Sequence, residues 1–183
     1  KIYKTLFSEK YIMEEGLLPF EREKKEVMVV RQAETNPEFG GIPDERTVEQ
    51  LIKYGIVNIN KPQGPTSHQI SDYVQKILSI DKAGHSGTLD PGVTGCLPIA
   101  LDKATRVVQT LLIAGKEYVG IMHLHKNVTK EDLEKSIKDF TGKISQLPPR
   151  KSAVKRQVRQ RDIYYFNILE IDGRDILFKI GCQ

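Results

Sequence analysis

Residues 84–95 read Gly-His-Ser-Gly-Thr-Leu-Asp-Pro-Gly-Val-Thr-Gly, and the reading of this stretch decides the fold around it. Four glycines and a proline in so short a run break both helix and regular strand, so the segment is a loop. Gly87 and Gly92 allow backbone conformations closed to other residues, and Pro91 fixes the chain just after Asp90. The loop therefore presents one carboxylate, Asp90, on a constrained turn with little side-chain bulk nearby. Asp-Pro-Gly is also a common turn and helix-entry sequence, and on these residues alone a structural cap is the simpler role for Asp90. No second acid stands in a comparable loop, so a carboxylate pair for general acid/base work is not visible.

Regular elements are legible on both sides of the loop. Upstream, Ile56–Ile59 is a β-prone run ending at Lys61-Pro62, where proline removes a ladder donor. Thr66-Ser67-His68-Gln69 then opens a helix: Thr66 caps it, Gln69 reaches back, and Ile70, Tyr73, Val74 and Ile77 form its apolar stripe. Downstream, a helix is expected over Cys96–Leu112, and Tyr118–Leu124 alternates as a strand. The clearest helix is Lys130–Phe140, capped by Thr129, with Val128 and Leu133 placed for a staple and Leu133, Ile137 and Phe140 on one face. Tyr164–Ile171 and Asp175–Gly181 flank Asp172-Gly173 as a hairpin with a type I′ turn. The sum is an α+β fold: a mixed, largely antiparallel sheet with flanking helices. Residues 1–54 have too few periodic apolar positions for a core of their own and read as a wrapping N-terminal arm, leaving 55–183 as the main domain.

Composition excludes several classes. The apolar fraction of 39% and charged fraction of 28% suit a soluble globular chain. No apolar run approaches the span of a membrane helix, and Lys1–Lys10 lacks a signal-peptide core. Cys96 and Cys182 lie far apart without CxxC pairing, so neither a zinc site nor a disulfide framework is indicated; two reduced, buried thiols of a cytosolic or nuclear protein are expected. His123 and His125 alternate on one strand and, without further ligands, are read as structural. Charge is uneven: residues 1–54 carry 9 basic and 11 acidic side chains, whereas 141–183 carry 9 and 4. Lys143–Arg161 holds Lys143, Arg150, Lys151, Lys155, Arg156, Arg159 and Arg161 and no acid. That run suits a polyanion, although a solvated surface loop is the simpler reading of a basic run alone.

Three motifs in order change the weighing. Gly87-Thr88-Leu89-Asp90-Pro91, followed by Gly95, resembles the signature loop of RNA pseudouridine synthases of the TruB/dyskerin class. Asn60-Lys61-Pro62-Gln63-Gly64-Pro65-Thr66-Ser67-His68 is similar to that family's first motif, and Gly115-Lys116-Glu117-Tyr118 to its Lys-x-Tyr motif. Pro148-Pro149-Arg150-Lys151-Ser152-Ala153-Val154-Lys155-Arg156-Gln157-Val158-Arg159 resembles the archaeal and eukaryotic branch that works with H/ACA guide RNAs. The resemblance covers residues 46–182, and the short loop between Leu124 and the Thr129 helix suggests an archaeal form.

The resemblance implies a pseudouridine synthase fold and an isomerase that detaches uracil from ribose C1′, rotates it and rejoins it through C5. The target must be extruded into a pocket, at a cost of a few kcal/mol for unstacking. It makes Asp90 the catalytic nucleophile; attack on the sugar and attack on the base both stay open. It makes Tyr118 the aromatic that stacks on the flipped base, against the alternative of an ordinary core tyrosine. His85 becomes an RNA or base contact, with a buried, satisfied histidine equally open. Lys61 and Pro62 buttress the loop, together with Gly87, Thr88 and Leu89. Lys151, Lys155, Arg156 and Arg159 contact RNA from a thumb-like segment over about 143–161. No metal or organic cofactor is implied. The implied partners are guide RNA, substrate RNA and small H/ACA accessory proteins, with no membrane. The implied location is cytoplasmic in an archaeon and nucleolar in a eukaryote.

The family's next motif, Gly-Thr-Tyr-Ile-Arg, supplies an arginine that pairs with the catalytic aspartate and should follow Gly181-Cys182; this chain stops at Gln183. The last strands of the catalytic domain and the C-terminal PUA domain are likewise missing. The expectation is an incomplete catalytic domain, part of a longer protein, inactive and poorly stable by itself. Two other functions compete with a guide-dependent enzyme acting on rRNA and tRNA. One is a stand-alone tRNA T-loop pseudouridine synthase; the other is a non-catalytic RNA-binding scaffold in which Asp90 only shapes a turn.

Overall fold

The computed structural model describes residues 16–22, 26–34, 36, 38–150 and 155–183. They fall into two compact units, one of residues 26–113 and one of 16–22 with 114–183.

In the first unit, Thr47 caps helix α1 (Val48–Tyr54) through a capping box with Gln50. The Thr-x-x-Gln signal was present in the sequence, inside the segment read as an arm. Strand β1 (Ile56–Lys61) pairs antiparallel with β3 (Gly95–Leu101), with Ile56 opposite Ala100 and Lys61 opposite Gly95. The short β2 (Ala83–His85) pairs with the other edge of β3, giving the order β1-β3-β2. Between β1 and β2 runs α2 (Ser67–Leu78), capped by Thr66 with Gln69 reaching back, as expected. Such a cap contributes about 1 kcal/mol. The buried face of α2 is rotated from the expected stripe. Ile70 and Val74 are buried against Leu97, Ile99 and Leu101, but Tyr73 and Ile77 are exposed, Ile77 by 79%, while Ser67 and Ser71 go inside.

The expected helix over Cys96–Leu112 is not formed. The chain makes β3, a 3-10 segment over Asp102–Val107 and only a short helix, α3 (Val108–Leu112). Cys96–Leu101 is a continuous apolar run bounded by glycine, and buried central strands read that way as readily as helices do. Its proline fits a central strand because the Pro98 carbonyl, and with it the ring nitrogen, faces the edge where β2 has just ended; that carbonyl accepts from Ser86 N–H at 3.1 Å. Asp102 breaks the run at φ +39°.

In the second unit a helical turn at Pro19–Arg22 follows the buried Leu18. Strands β4 (Lys116–His123), β5 (Gly142–Gln146), β6 (Arg159–Asp172) and β7 (Asp175–Cys182) form an antiparallel sheet in the order β4-β7-β6-β5. Helix α4 (Lys130–Asp139), capped by Thr129, buries Leu133 and Ile137 on Ile176, with Met122, Phe166 and Ile168 around them. Each buried aliphatic contributes about 1.5–3 kcal/mol. Phe140 is exposed despite lying on the expected face. The β6–β7 hairpin forms one residue later than expected. Asp172 pairs with Asp175, leaving Gly173-Arg174 as the two-residue loop, and only Gly173 has positive φ, +61°. That is the type II′ pattern, not I′. All strand pairings among the described residues are antiparallel, in two sheets with flanking helices, so the fold is of the expected α+β class.

Candidate active site

The loop between β2 and β3 is held by the core, by α2 and by the turn after β1. Leu89 turns inward and packs on the Ile70–Leu101 core, so the next residue, Asp90, points its carboxylate outward and is exposed. Two hydrogen-bonding ties flank Asp90. On its N-terminal side, the Ser67 hydroxyl accepts from Leu89 N–H at 2.9 Å and donates to the Leu89 carbonyl at 3.2 Å. On its C-terminal side, the Pro91 carbonyl accepts from Gly64 N–H at 2.8 Å. Gly64 adopts φ +114°, a conformation that side chains disfavour.

Lys61 stands beneath this arrangement. Its side chain is fully buried, at 0% exposure, and Nζ donates to the carbonyls of Pro62 (2.9 Å) and Pro65 (3.0 Å). A buried ammonium is costly unless its donors are satisfied, and here it pins the turn that carries Gly64. The chain of contacts therefore runs from Lys61 through residues 62–65 to Pro91, beside Asp90. Pro62 itself is exposed. Thr88 is exposed and Gly87 half-buried. His85 ends β2, half-buried, and its Nδ1 is buried without a hydrogen-bond partner. Neither Ser67 nor Gly64 is legible as a site residue from the sequence alone. Ser67 is the first residue of a helix, and which way its hydroxyl turns depends on tertiary contacts.

The remaining candidates belong to the other unit. Tyr118 lies on β4 opposite Ile180 of β7 and is partly exposed. Its neighbour Glu117 accepts from the Tyr165 hydroxyl at 2.5 Å and lies 3.4 Å from the buried Lys179 ammonium. Burial, together with the bond to Glu117 and its charge, holds the Tyr165 phenol above the usual tyrosine range. The basic run has strands at both ends, with Lys143 on β5 and Arg159 and Arg161 on β6. Lys155 and Arg156 are exposed in neither helix nor strand, whereas Arg159 is half-buried with its Nε lacking a partner. Lys151 lies outside the described residues. His123 pairs with Asp175 at 2.6 Å, and the His125 carbonyl accepts from Arg174 at 3.4 Å. Among the described residues no group of three or more His, Cys, Asp and Glu is placed to hold a metal. Cys96 is exposed and Cys182 half-buried, so the expectation of two buried thiols fails.

The model of the N-terminal domain of TruB family pseudouridylate synthases matches residues 75–183, which include Asp90 and Tyr118. The chain belongs to the TruB family. A DKCLD domain matches residues 16–71, which include Lys61 and Ser67. A probable tRNA pseudouridine synthase B of Methanopyrus kandleri is 56% identical to this TruB-family chain over 166 residues, 91% of this chain and 49% of that protein. A second, from Pyrococcus abyssi, is 52% identical over 167 residues, 91% of this chain and 50% of its own. A chain in the crystal structure of a Cbf5–Nop10–Gar1 complex matches with a TM-score of 0.84 at 52% identity, covering 91% of this chain and 50% of that one. A chain in an H/ACA ribonucleoprotein bound to a substrate RNA containing 2′-deoxyuridine matches with a TM-score of 0.78 at 48% identity, covering 88% and 48%. The TruB-family chain thus spans about half the length of the relatives it matches.

Proposed function

We propose that this chain carries the nucleophile of an RNA uridine-to-pseudouridine isomerase, and that the nucleophile is Asp90. The observation that carries the reading is the loop itself: an exposed carboxylate whose two neighbouring residues are tied to α2 and to the turn after β1. Pre-positioning of this kind is what a nucleophile needs when its target is a single flipped nucleotide. The reaction is a balanced rearrangement. The C1′–N1 bond breaks, a C1′–C5 bond forms, the C5 proton leaves and N1 gains one. It requires no oxidant, metal or organic cofactor. Tyr118 stacks on the flipped base, and His85 contacts RNA beside the loop. Lys151, Lys155, Arg156 and Arg159 bind phosphates from the segment 143–161.

The finer assignment is the catalytic subunit of an H/ACA ribonucleoprotein acting on rRNA in the cytoplasm of an archaeon, with guide RNA and small accessory proteins as partners. The likeness to chains in the Cbf5–Nop10–Gar1 and H/ACA structures supports it. A second reading, a tRNA pseudouridine synthase acting without a guide, draws on the likeness to the probable tRNA pseudouridine synthases B of Methanopyrus kandleri and Pyrococcus abyssi. The test uses the full-length protein with and without guide RNA on rRNA and tRNA substrates, comparing Asp90 with Asp90→Asn. Asp90→Asn should fall below about a thousandth of the parent rate while RNA binding persists. Unchanged modification would remove Asp90 from the chemistry, whereas RNA binding by the parent protein with no modification of either substrate would favour the scaffold reading. Activity on tRNA without a guide would select the second reading.

A further inference from the structure

We infer that Ser67 is a positioning residue for Asp90, its hydroxyl setting the plane from which the carboxylate projects. The inference rests on the reading of Asp90 as nucleophile. Ser67 is 1% exposed and is the first residue of α2; the helix cap is Thr66, so the Ser67 hydroxyl is not needed there. It crosses instead to a residue 22 positions away, accepting from Leu89 N–H and donating to the Leu89 carbonyl. These two groups belong to consecutive peptide planes. Holding both fixes the backbone dihedrals of Leu89, and because the second plane contains Asp90 N and Cα, it fixes where Asp90 begins. Pro91, tied to Gly64, closes the other side. Ser71, one turn along and equally buried, supplies the contrast. Its hydroxyl donates to the Ser67 carbonyl at 3.3 Å, the ordinary back-bond of a helical serine, and not to the loop.

A hydroxyl that only stabilised the fold would be replaceable at a cost in stability alone. A positioning hydroxyl moves the chemical step, since a displacement of about 1 Å can cost on the order of 100-fold in rate. The test is single-turnover kinetics of the full-length protein with its RNAs at saturation, alongside RNA affinity and thermal melting. Ser67→Ala should lower the rate about 10- to 100-fold, with RNA affinity within about twofold of the parent. Ser67→Cys, of similar size but a weak donor, should fall between, and Ser71→Ala should stay within about twofold of the parent rate. A parental rate in Ser67→Ala, a loss confined to RNA binding, or an equal loss in Ser71→Ala would overturn the inference. If Ser67→Ala does not fold, Ser67→Cys decides, and a full rate there overturns it. Asp90→Asn in the same assay keeps the two readings apart. Full activity in that variant removes the nucleophile, whereas its inactivity beside a fully active Ser67→Ala removes only the role of Ser67.

Discussion

The ammonium of Lys61 and the carbonyl of Pro65 meet at 3.0 Å inside the first unit, where the lysine has no exposure to solvent. With the Pro62 carbonyl they make one side chain the closing bond of the turn that holds Pro91 through Gly64. Lys61→Met keeps the aliphatic volume and removes the donors, leaving two carbonyls without them. The expected loss is about 1–3 kcal/mol of stability, a fall in melting temperature of about 2–4 °C for each kcal/mol at this chain length. Calorimetry or circular dichroism would read it. Arginine should not rescue, because its planar fork is larger and its donors diverge. A Lys61→Met protein that melts with the parent would show that the ammonium contributes nothing to the turn.

Gly181 pairs with Glu117 on one side and Tyr165 on the other, and a Cβ placed on it would enter the Tyr165 ring. The ring is buried, so relief requires either a rotamer change or a shift of β6 against β7. Gly181→Ala should therefore destabilise the second unit by about 1–3 kcal/mol, the usual cost of overpacking. Denaturant titration checks it. The same substitution in a Tyr165→Ala background should cost much less, since the obstructing ring is gone. Equal costs in both backgrounds would exclude the steric explanation.

The legibility of this fold in its sequence follows how local each signal is. The caps at Thr66 and Thr129 were readable because a helix cap is settled within four residues, and the β6–β7 hairpin because glycine punctuates it. Cys96–Leu112 was misread because an apolar run buried on both faces has no period to separate strand from helix. The turn type at Asp172–Asp175 depended on which residue took positive φ, which strand register decides. At the site, the Gly-rich loop around Asp90 was visible as a constrained turn, and only the resemblance of three ordered motifs promoted its acid to a nucleophile. Ser67 stayed hidden inside one of those motifs because its role is a contact across 22 residues. The fully buried state of Lys61 was hidden for the same reason, since lysine is seldom buried and nothing local announces it.

The two cysteines should differ in reactivity. Cys96 is exposed near the start of β3, whereas burial pushes the Cys182 thiol up, with the Lys116 charge opposing the shift. A raised pKa means less thiolate at pH 8, and the thiolate is the nucleophile. Iodoacetamide should label Cys96 at least about tenfold faster than Cys182 in the folded protein, with the difference vanishing in denaturant. Mass spectrometry of the two peptides over time gives both rates. Equal labelling in the folded protein would contradict the half-buried environment of Cys182.

Tyr165 supplies a prediction about alkaline stability. Burial comes first, and the hydrogen bond and charge of Glu117 follow, in keeping its phenol protonated above the usual tyrosine range. The folded state then holds a proton that the unfolded chain releases near its ordinary value of about 10. Stability from this group is complete below that value. It declines as pH rises above it toward the raised folded value, with a slope of about 1.4 kcal/mol per pH unit for one proton. Tyr165→Phe keeps the ring that packs against Gly181 and removes the titrating group. Its stability should be lower than the parent's at neutral pH by about 1 kcal/mol, the net worth of one hydrogen bond. The gap should close as pH climbs past 10. Urea titrations at several pH values from 8 upward would measure both curves, and parallel curves would show that Tyr165 does not hold its proton in the way its surroundings dictate.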